Sequence, residues 1–166
     1  RSTCNTMVGF PGEYEEDVFD TIKLVKKIRS LDQDLTSCNI AFVAPYSGTV
    51  IHNICLELGL MNTDTKPGYR GLCKNIGFRK EPVITNPCMS KEKTIELHDN
   101  FSDYINGKKD IPKKFLTTDP LRKYAQGDPI SEQIYELYAR YKNGPTNIDT
   151  NNISSKNKLI QVEATA

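Results

Sequence analysis

Two glycines, Gly9 and Gly12, bracket a Phe-Pro pair in the segment NTMVGFPGEYEEDVFD, and an acidic stretch follows at once. A glycine turn before a helix can cradle a phosphate, because free N–H groups and the helix dipole attract anions. Carboxylates already fill that position, from Glu13, Glu15, Glu16 and Asp17. GFPG also lacks the third glycine of GxGxxG and the Lys-Ser/Thr of a P-loop. We therefore exclude a nucleotide-phosphate site, and spacing alone favours a turn whose glycines supply permissive backbone angles.

The candidate metal ligands are scattered. The five cysteines are Cys4, Cys38, Cys55, Cys73 and Cys88, and no CxxC or CxxxCxxC pairing occurs among them. Neither a structural zinc site nor an iron–sulfur site is predicted. His52 and His98 fall in separate predicted helices without a second ligand at metal spacing, so each is interpreted as an ordinary histidine. Unpaired cysteines without a signal segment indicate a reducing compartment, and we expect a cytoplasmic protein.

The first sixty residues predict strand, helix, strand, helix. The strands are expected at 3–8 and 39–44, and amphipathic helices at 15–30 and 50–58. The apolar run NIAFVA predicts that the second strand is buried on both faces, as in a covered parallel sheet. Two parallel strands cannot form such a sheet alone. The chain therefore lacks its other strands or pairs with something, and a start at Arg1 rather than Met also suggests a piece of a longer protein.

The remainder predicts helices joined by irregular segments. Residues 61–88 are rich in Gly, Pro, Asn and Thr, and Ser90 is expected to cap a helix that runs to 105. Asp-Pro pairs at 119–120 and 128–129 mark two further helix starts, the last of these helices ending at Gly144. We expect three parts: the strands and helices of 1–60, a helical extension over 61–144, and a disordered tail over 145–166.

Composition excludes two classes of partner. The 166 residues carry 22 basic and 21 acidic side chains, a net charge of +1, which gives no electrostatic footprint for nucleic acid. No apolar run is long enough to span a membrane. Tyr135, Tyr138 and Tyr141 are interpreted as a packing stripe, because no basic stripe accompanies them as in a base-stacking platform.

Three segments resemble radical SAM (S-adenosylmethionine) enzymes. MVGFPGEYEEDVFDTIKLVKKI resembles the part that follows the fifth strand of their partial barrel, where G-F/L-P-G-E-T leads into acidic residues and a helix. NIAFVAPYSGTVIHNICLELGLM resembles the sixth strand and its helix, and its Pro-Tyr-x-Gly-Thr element is similar to enzymes that often carry a cobalamin-binding domain. TNPCMSKEKTIELHDNFSDYI resembles the segment after the barrel in that group. Together the three segments cover about residues 3–105.

The resemblance implies an α/β fold, in which the last βαβα part of a partial (β/α) barrel precedes a mostly helical extension. Such enzymes bind SAM at a 4Fe–4S cluster and cleave it reductively to a 5′-deoxyadenosyl radical; one subgroup also binds cobalamin. The implied partners are the N-terminal part of the same protein and a reductant such as flavodoxin or ferredoxin. The residues implied to form the wall of the SAM pocket are Gly9, Phe10, Pro11, Gly12, Glu13, Val43, Ala44 and Pro45.

The sequence departs from the family at two points. Tyr14 stands where Thr usually caps the helix, a change that should cost about 1 kcal/mol. The cluster-binding CxxxCxxC is absent, so the chain alone is not expected to bind the cluster or cleave SAM, and no catalytic residue or substrate is identified.

Two alternatives stay open. A methylthiotransferase of tRNA or protein shares the first element, but it usually has Ser-Pro-Arg-x-Gly-Thr at the second. It predicts a β-rich RNA-binding domain after the barrel, against which the helical, near-neutral C-terminus argues. The other alternative is a non-catalytic interaction module that pairs with a partner through its sheet edge.

Overall fold

The computed structural model describes residues 2–31, 35–61, 81–116 and 129–143. Over these residues the chain is α/β, with a small two-stranded sheet and four α-helices. The elements are β1 (Ser2–Val8), α1 (Glu15–Leu31), β2 (Leu35–Phe42), α2 (Val50–Glu57), α3 (Lys91–Ile105), a 3₁₀ turn (Lys113–Phe115) and α4 (Pro129–Asn143). The predicted order of strand, helix, strand, helix is confirmed for the first part of the chain.

The two strands pair in parallel through the crossover helix α1. In their register Cys4 lies opposite Cys38, Thr6 opposite Ile40, and Val8 opposite Phe42. Over residues 3–8 and 37–42 the even-numbered side chains face the helices, and the odd-numbered side chains face the other way. The sheet therefore has one face packed by α1 and α3 and one face that no described element covers.

The prediction for the second strand is wrong in extent and in burial. It runs over Leu35–Phe42 rather than 39–44, and it is not buried on both faces. Asn39 is exposed, and its Nδ2 donates to Asn5 Oδ1 across the strands at 3.1 Å. Ser37 Oγ donates in the same way to Thr3 Oγ1 at 3.3 Å. A ladder of polar pairs thus occupies the face that the apolar run was expected to bury.

An apolar core lies between the covered face of the sheet and the helices α1 and α3. The Phe19 ring stacks on Phe115, with 4.5 Å between centroids, and meets Tyr104 edge-on at 5.3 Å. This first cluster consists of Val8, Val18, Phe19, Ile22, Val25, Phe42, Met89, Leu97, Phe101, Tyr104, Ile105 and Phe115. It attaches α3 to the βαβ unit.

A second apolar cluster lies beyond the carboxyl ends of the strands, where α4 packs against α2. Its members are Val43, Ile54, Cys55, Leu58, Leu60, Val83, Ile84, Ile134, Leu137 and Tyr141. Glu57 joins the two helices at the rim, because its carboxylate accepts from Tyr141 at 2.5 Å and pairs with Arg140 at 2.8 Å. The predicted packing role of Tyr141 is confirmed, whereas Tyr135 is exposed.

Helix starts follow the sequence closely where they are described. Thr49 caps α2 by accepting from His52 N at 3.2 Å, and Ser90 caps α3 by accepting from Lys93 N at 3.2 Å. Pro129 opens α4 as expected. The predictions at Asp119, Pro120, Asp128 and 145–166, and those for most of the 61–88 segment, lie outside the described residues.

Among the described helices, none combines the length and the apolar character that crossing a bilayer requires.

Candidate functional site

The predicted site residues lie on two loops at one edge of the sheet. Because the strands are parallel, the segment after Val8 and the segment after Phe42 leave the sheet side by side. Val43 N donates to Val8 O at 2.9 Å, which extends the pairing into the second loop. The two motifs that were separated in sequence therefore meet at the carboxyl ends of the strands.

The first loop is a tight turn built by its own sequence. Glu13 N donates to Phe10 O at 3.0 Å, and Gly12 has a φ of +83°. Proline at the second position and a positive φ at the third are the signature of a type II turn. Gly9, at φ +91°, allows the strand to enter this turn. Both glycines are required for their backbone angles, as the structural interpretation of the sequence predicts.

The acidic residues after the turn satisfy the backbone of the chain itself. The Glu13 carboxylate accepts from Gly9 N at 2.5 Å and from Phe10 N at 3.3 Å. The Asp17 carboxylate accepts from Tyr14 N at 2.8 Å, which is one half of a capping box. Three backbone N–H groups around the turn, those of Gly9, Phe10 and Tyr14, are thus engaged by carboxylates of the chain.

A buried asparagine from a distant segment holds the turn in place. Asn86, 8% exposed, donates from Nδ2 to Glu13 O at 2.6 Å. Its Oδ1 accepts from Cys88 N at 3.0 Å, so both ends of the amide are bonded. A side chain that bonds at both ends fixes the position of the backbone it contacts. Sequence reasoning missed this residue.

The second loop leaves β2 through Val43 and Pro45, both buried, with Ala44 half-buried between them. Thr49 N donates to Tyr46 O at 3.1 Å, and this closes a turn that leads into α2. His52 Nδ1 lies 3.2 Å from Pro45 O, so this histidine is attached to the loop by a structural contact. The interpretation of His52 as an ordinary histidine agrees with this geometry.

The two loops share one apolar environment. Phe10 packs against the second cluster, of which Val43 is a member. A Cβ at Gly12 would lie 3.3 Å from Ile134 Cγ2 on α4, and one at Gly9 would lie 3.4 Å from Thr94 Cγ2 on α3. The turn is therefore pressed between two helices from later in the chain. The sequence indicated that Ile134 lies on the apolar stripe of the last helix, but it did not predict that Ile134 contacts the turn.

Most side chains at this edge of the sheet are apolar. Five of the predicted wall residues have side chains that neither donate protons nor act as nucleophiles: Phe10, Pro11, Val43, Ala44 and Pro45. The sixth side chain, the Glu13 carboxylate, is bonded to Gly9 N and Phe10 N. Within the described part of the chain, no three His, Cys, Asp or Glu side chains gather where they could hold a metal ion. The edge could present an apolar wall and backbone carbonyls to a ligand.

A groove of about 770 Å³ runs elsewhere, along β2 and the exposed side of α3. None of the eight predicted site residues lines it; its lining includes Asn5, Met7, Cys38, Asn39, Ala41, His98, Asp99 and Ser102. The His98 ring stacks on Phe42 at 4.1 Å, and its Nδ1 lies 2.9 Å from Asp99 Oδ1. The sequence analysis did not predict this groove.

No known protein family matches this chain. No significant match was found among curated proteins or among solved structures.

Proposed function

We propose that this chain is the C-terminal part of a radical SAM enzyme of the cobalamin-binding type. In this proposal β1 and β2 are the last two strands of a partial (β/α) barrel, and the two loops form one wall of the SAM pocket. The observation that carries it is the sheet: two parallel strands joined by a crossover helix, covered on one face and, among the described elements, uncovered on the other.

The open face and edges support a sheet that continues beyond this chain. A parallel sheet is normally covered on both faces. Here the open face carries exposed Thr3, Asn5, Ser37 and Asn39, together with Met7, which is 53% exposed. Neither STCNTMV nor LTSCNIAF contains a charge or a proline, although 26% of the chain is charged. Natural edge strands are usually protected by such residues, so these two strands are suited to having neighbours.

The wall suits SAM better than it suits a nucleotide. SAM has no phosphate and presents a sulfonium cation, so acids around the turn do not repel it. When bound at a reduced cluster, SAM supplies a carbon-centred radical. The cluster itself does not fit this chain, because CxxxCxxC is absent and the described residues hold no metal-binding group. Its ligands belong to the N-terminal part that the proposal requires, and a flavodoxin or ferredoxin would supply the electron in the cytoplasm.

The experiment begins with the reading frame upstream of Arg1. The proposal expects this frame to encode CxxxCxxC, and the full-length product, purified without oxygen, to contain iron and to form 5′-deoxyadenosine from SAM upon reduction. A D-x-H-x-x-G motif further upstream would identify the cobalamin-binding subgroup. A frame without the cysteine motif, or an iron-free product that leaves SAM intact, would refute the proposal.

The pocket wall is tested separately in the same protein. Phe10→Ala should weaken SAM binding, whereas Ile111→Ala should leave it unchanged. Ile111 is the matched control because it too is a partly buried apolar side chain, but it packs against the first cluster, away from the loops. Equal SAM affinity in the two variants, with 5′-deoxyadenosine still formed, would refute the proposal that these loops form the wall of the SAM pocket. It would leave the proposal of a radical SAM enzyme standing.

The uncharged open edges also favour a second candidate, a non-catalytic module that adds its sheet to a partner. It predicts that residues 1–145 alone form a monomer with a well-dispersed spectrum. The barrel proposal predicts that this piece associates through its open edges. The methylthiotransferase alternative gains no support, since the described residues after 61 form helices and no strand.

A further inference from the structure

Two cysteines are neighbours across the sheet. Cys4 on β1 and Cys38 on β2 are partners in the strand register, so their side chains emerge on the same face. Both are half-buried free cysteines that pack against the first apolar cluster. Adjacent strands lie about 4.8 Å apart, which is within the range of about 4.4–6.8 Å that Cα atoms of a disulfide span. The register thus gives the two residues a backbone separation that is compatible with a disulfide.

Access to the thiol distinguishes Cys38 from Cys55. Burial raises the pKa of Cys38, and the neighbouring Cys4 raises it further, while Arg29 opposes them. Cys38 also lines the groove along β2, through which a small reagent can reach it. Cys55, by contrast, is fully buried in the second cluster, and burial raises the pKa of its thiol to about 12.

We propose that Cys4 and Cys38 form a redox-active dithiol that closes to a cross-strand disulfide. With a small disulfide such as oxidised glutathione, the Cys38 thiolate attacks one sulfur and releases one glutathione thiolate. The Cys4 thiolate then attacks the Cys38 sulfur of the mixed disulfide and releases the second. The protein loses two electrons and two protons, and one glutathione disulfide becomes two thiols. This proposal does not depend on the radical SAM assignment.

The disulfide would tie β1 to β2 and close a loop that contains α1. Cross-linking a loop of this size restricts the unfolded chain, and the midpoint of thermal unfolding should rise by on the order of 10 °C. Reduction would restore the lower midpoint. The state of the pair would then set how firmly the sheet holds together.

The test uses the full chain with Cys73→Ser as background, because Cys73 lies outside the described residues. The folded protein is equilibrated with reduced and oxidised glutathione, alkylated, digested without reductant and analysed by mass spectrometry. We expect one dominant cross-linked species that joins the peptides of Cys4 and Cys38, with the rise in unfolding midpoint. Cys4→Ser and Cys38→Ser should abolish both, and Cys55→Ser and Cys88→Ser should abolish neither.

Three outcomes would overturn the proposal. One is a stable glutathione adduct on Cys38 without a cross-link. Another is cross-linking of Cys38 to Cys55 or Cys88 in equal yield, which would indicate random oxidation. The third is a cross-link that forms only after unfolding in urea. Where a serine variant fails to fold, Cys38→Ala retains a small apolar side chain in the cluster and serves the same purpose.

Discussion

Replacing Gly12 by alanine tests the central geometric claim, that the turn is pressed against α4. The substitution has two consequences. A φ of +83° disfavours any side chain, and the new Cβ would lie 3.3 Å from Ile134 Cγ2, which is closer than ordinary contact. The backbone strain should cost about 1–2 kcal/mol, and the crowding at Ile134 should add roughly 1 kcal/mol.

Gly107→Ala isolates the strain. Gly107 has a φ of +74°, and nothing lies within 4 Å of the position that a Cβ would take there. The unfolding free energy of Gly107→Ala should therefore fall only by the cost of the backbone strain, about 1–2 kcal/mol. Urea unfolding followed by pulse proteolysis measures both variants, and an unchanged slope would show that stability rather than compactness changed.

A double-mutant cycle with Ile134→Ala completes the test, because that truncation removes the atoms that the new Cβ meets. Gly12→Ala should destabilise the Ile134→Ala background by roughly 1 kcal/mol less than it destabilises the original chain. Equal losses for Gly12→Ala and Gly107→Ala, together with additivity in the cycle, would refute the packing of the turn against α4.

Three further predictions follow from the hydrogen bonds. Asn86→Ala should lower the unfolding free energy by about 2 kcal/mol, because it removes the donor to the Glu13 carbonyl and the acceptor for Cys88 N. The midpoint of urea unfolding measures this loss, and an unchanged midpoint would contradict the stabilising role of the two hydrogen bonds. Asp17→Ala should cost about 1 kcal/mol by removing the carboxylate that accepts from Tyr14 N, with amide exchange at Tyr14 as the local readout. Burial, and then the hydrogen bond to Glu57, raise the pKa of Tyr141 from 10.0 to about 12, so its contribution to stability is complete below pH 10 and is lost as the pH rises to 12. In Tyr141→Phe the loss of unfolding free energy between pH 10 and pH 12 should be smaller by on the order of 2 kcal/mol. Parallel pH profiles for the two proteins would contradict the raised pKa of Tyr141.

Short-range signals in the sequence predicted the local structure well. Thr49 and Ser90 cap the helices where expected, since capping depends on residues within one turn. Gly12 takes the positive φ that its place after proline requires. The residues Gly9–Glu13 and Val43–Pro45 were grouped by the family resemblance rather than by a local signal, and they follow neighbouring strands in the parallel register.

Features that depend on contacts between distant parts of the chain were not predicted. β2 begins at Leu35 because Ser37 and Asn39 find polar partners on β1, and NIAFVA alone does not contain that information. Asn86 looks like one more loop residue until its amide is seen to reach Glu13, 73 positions earlier. Pairing across strands and segments is a tertiary property, so neither feature could be derived from periodicity.

The contacts of the glycine turn have a consequence for the order in which the protein acquires its structure. The type II turn and its Glu13 and Asp17 bonds are local and can form as soon as these residues emerge from the ribosome. Asn86 and Ile134 are synthesised long afterwards, at roughly 5–20 residues per second. The turn therefore exists for several seconds without its tertiary contacts, until α3 and α4 have been synthesised and can pack against it. On a ribosome stalled before position 86, the nascent chain would contain the formed turn without the contacts from Asn86 and Ile134 that hold it in place.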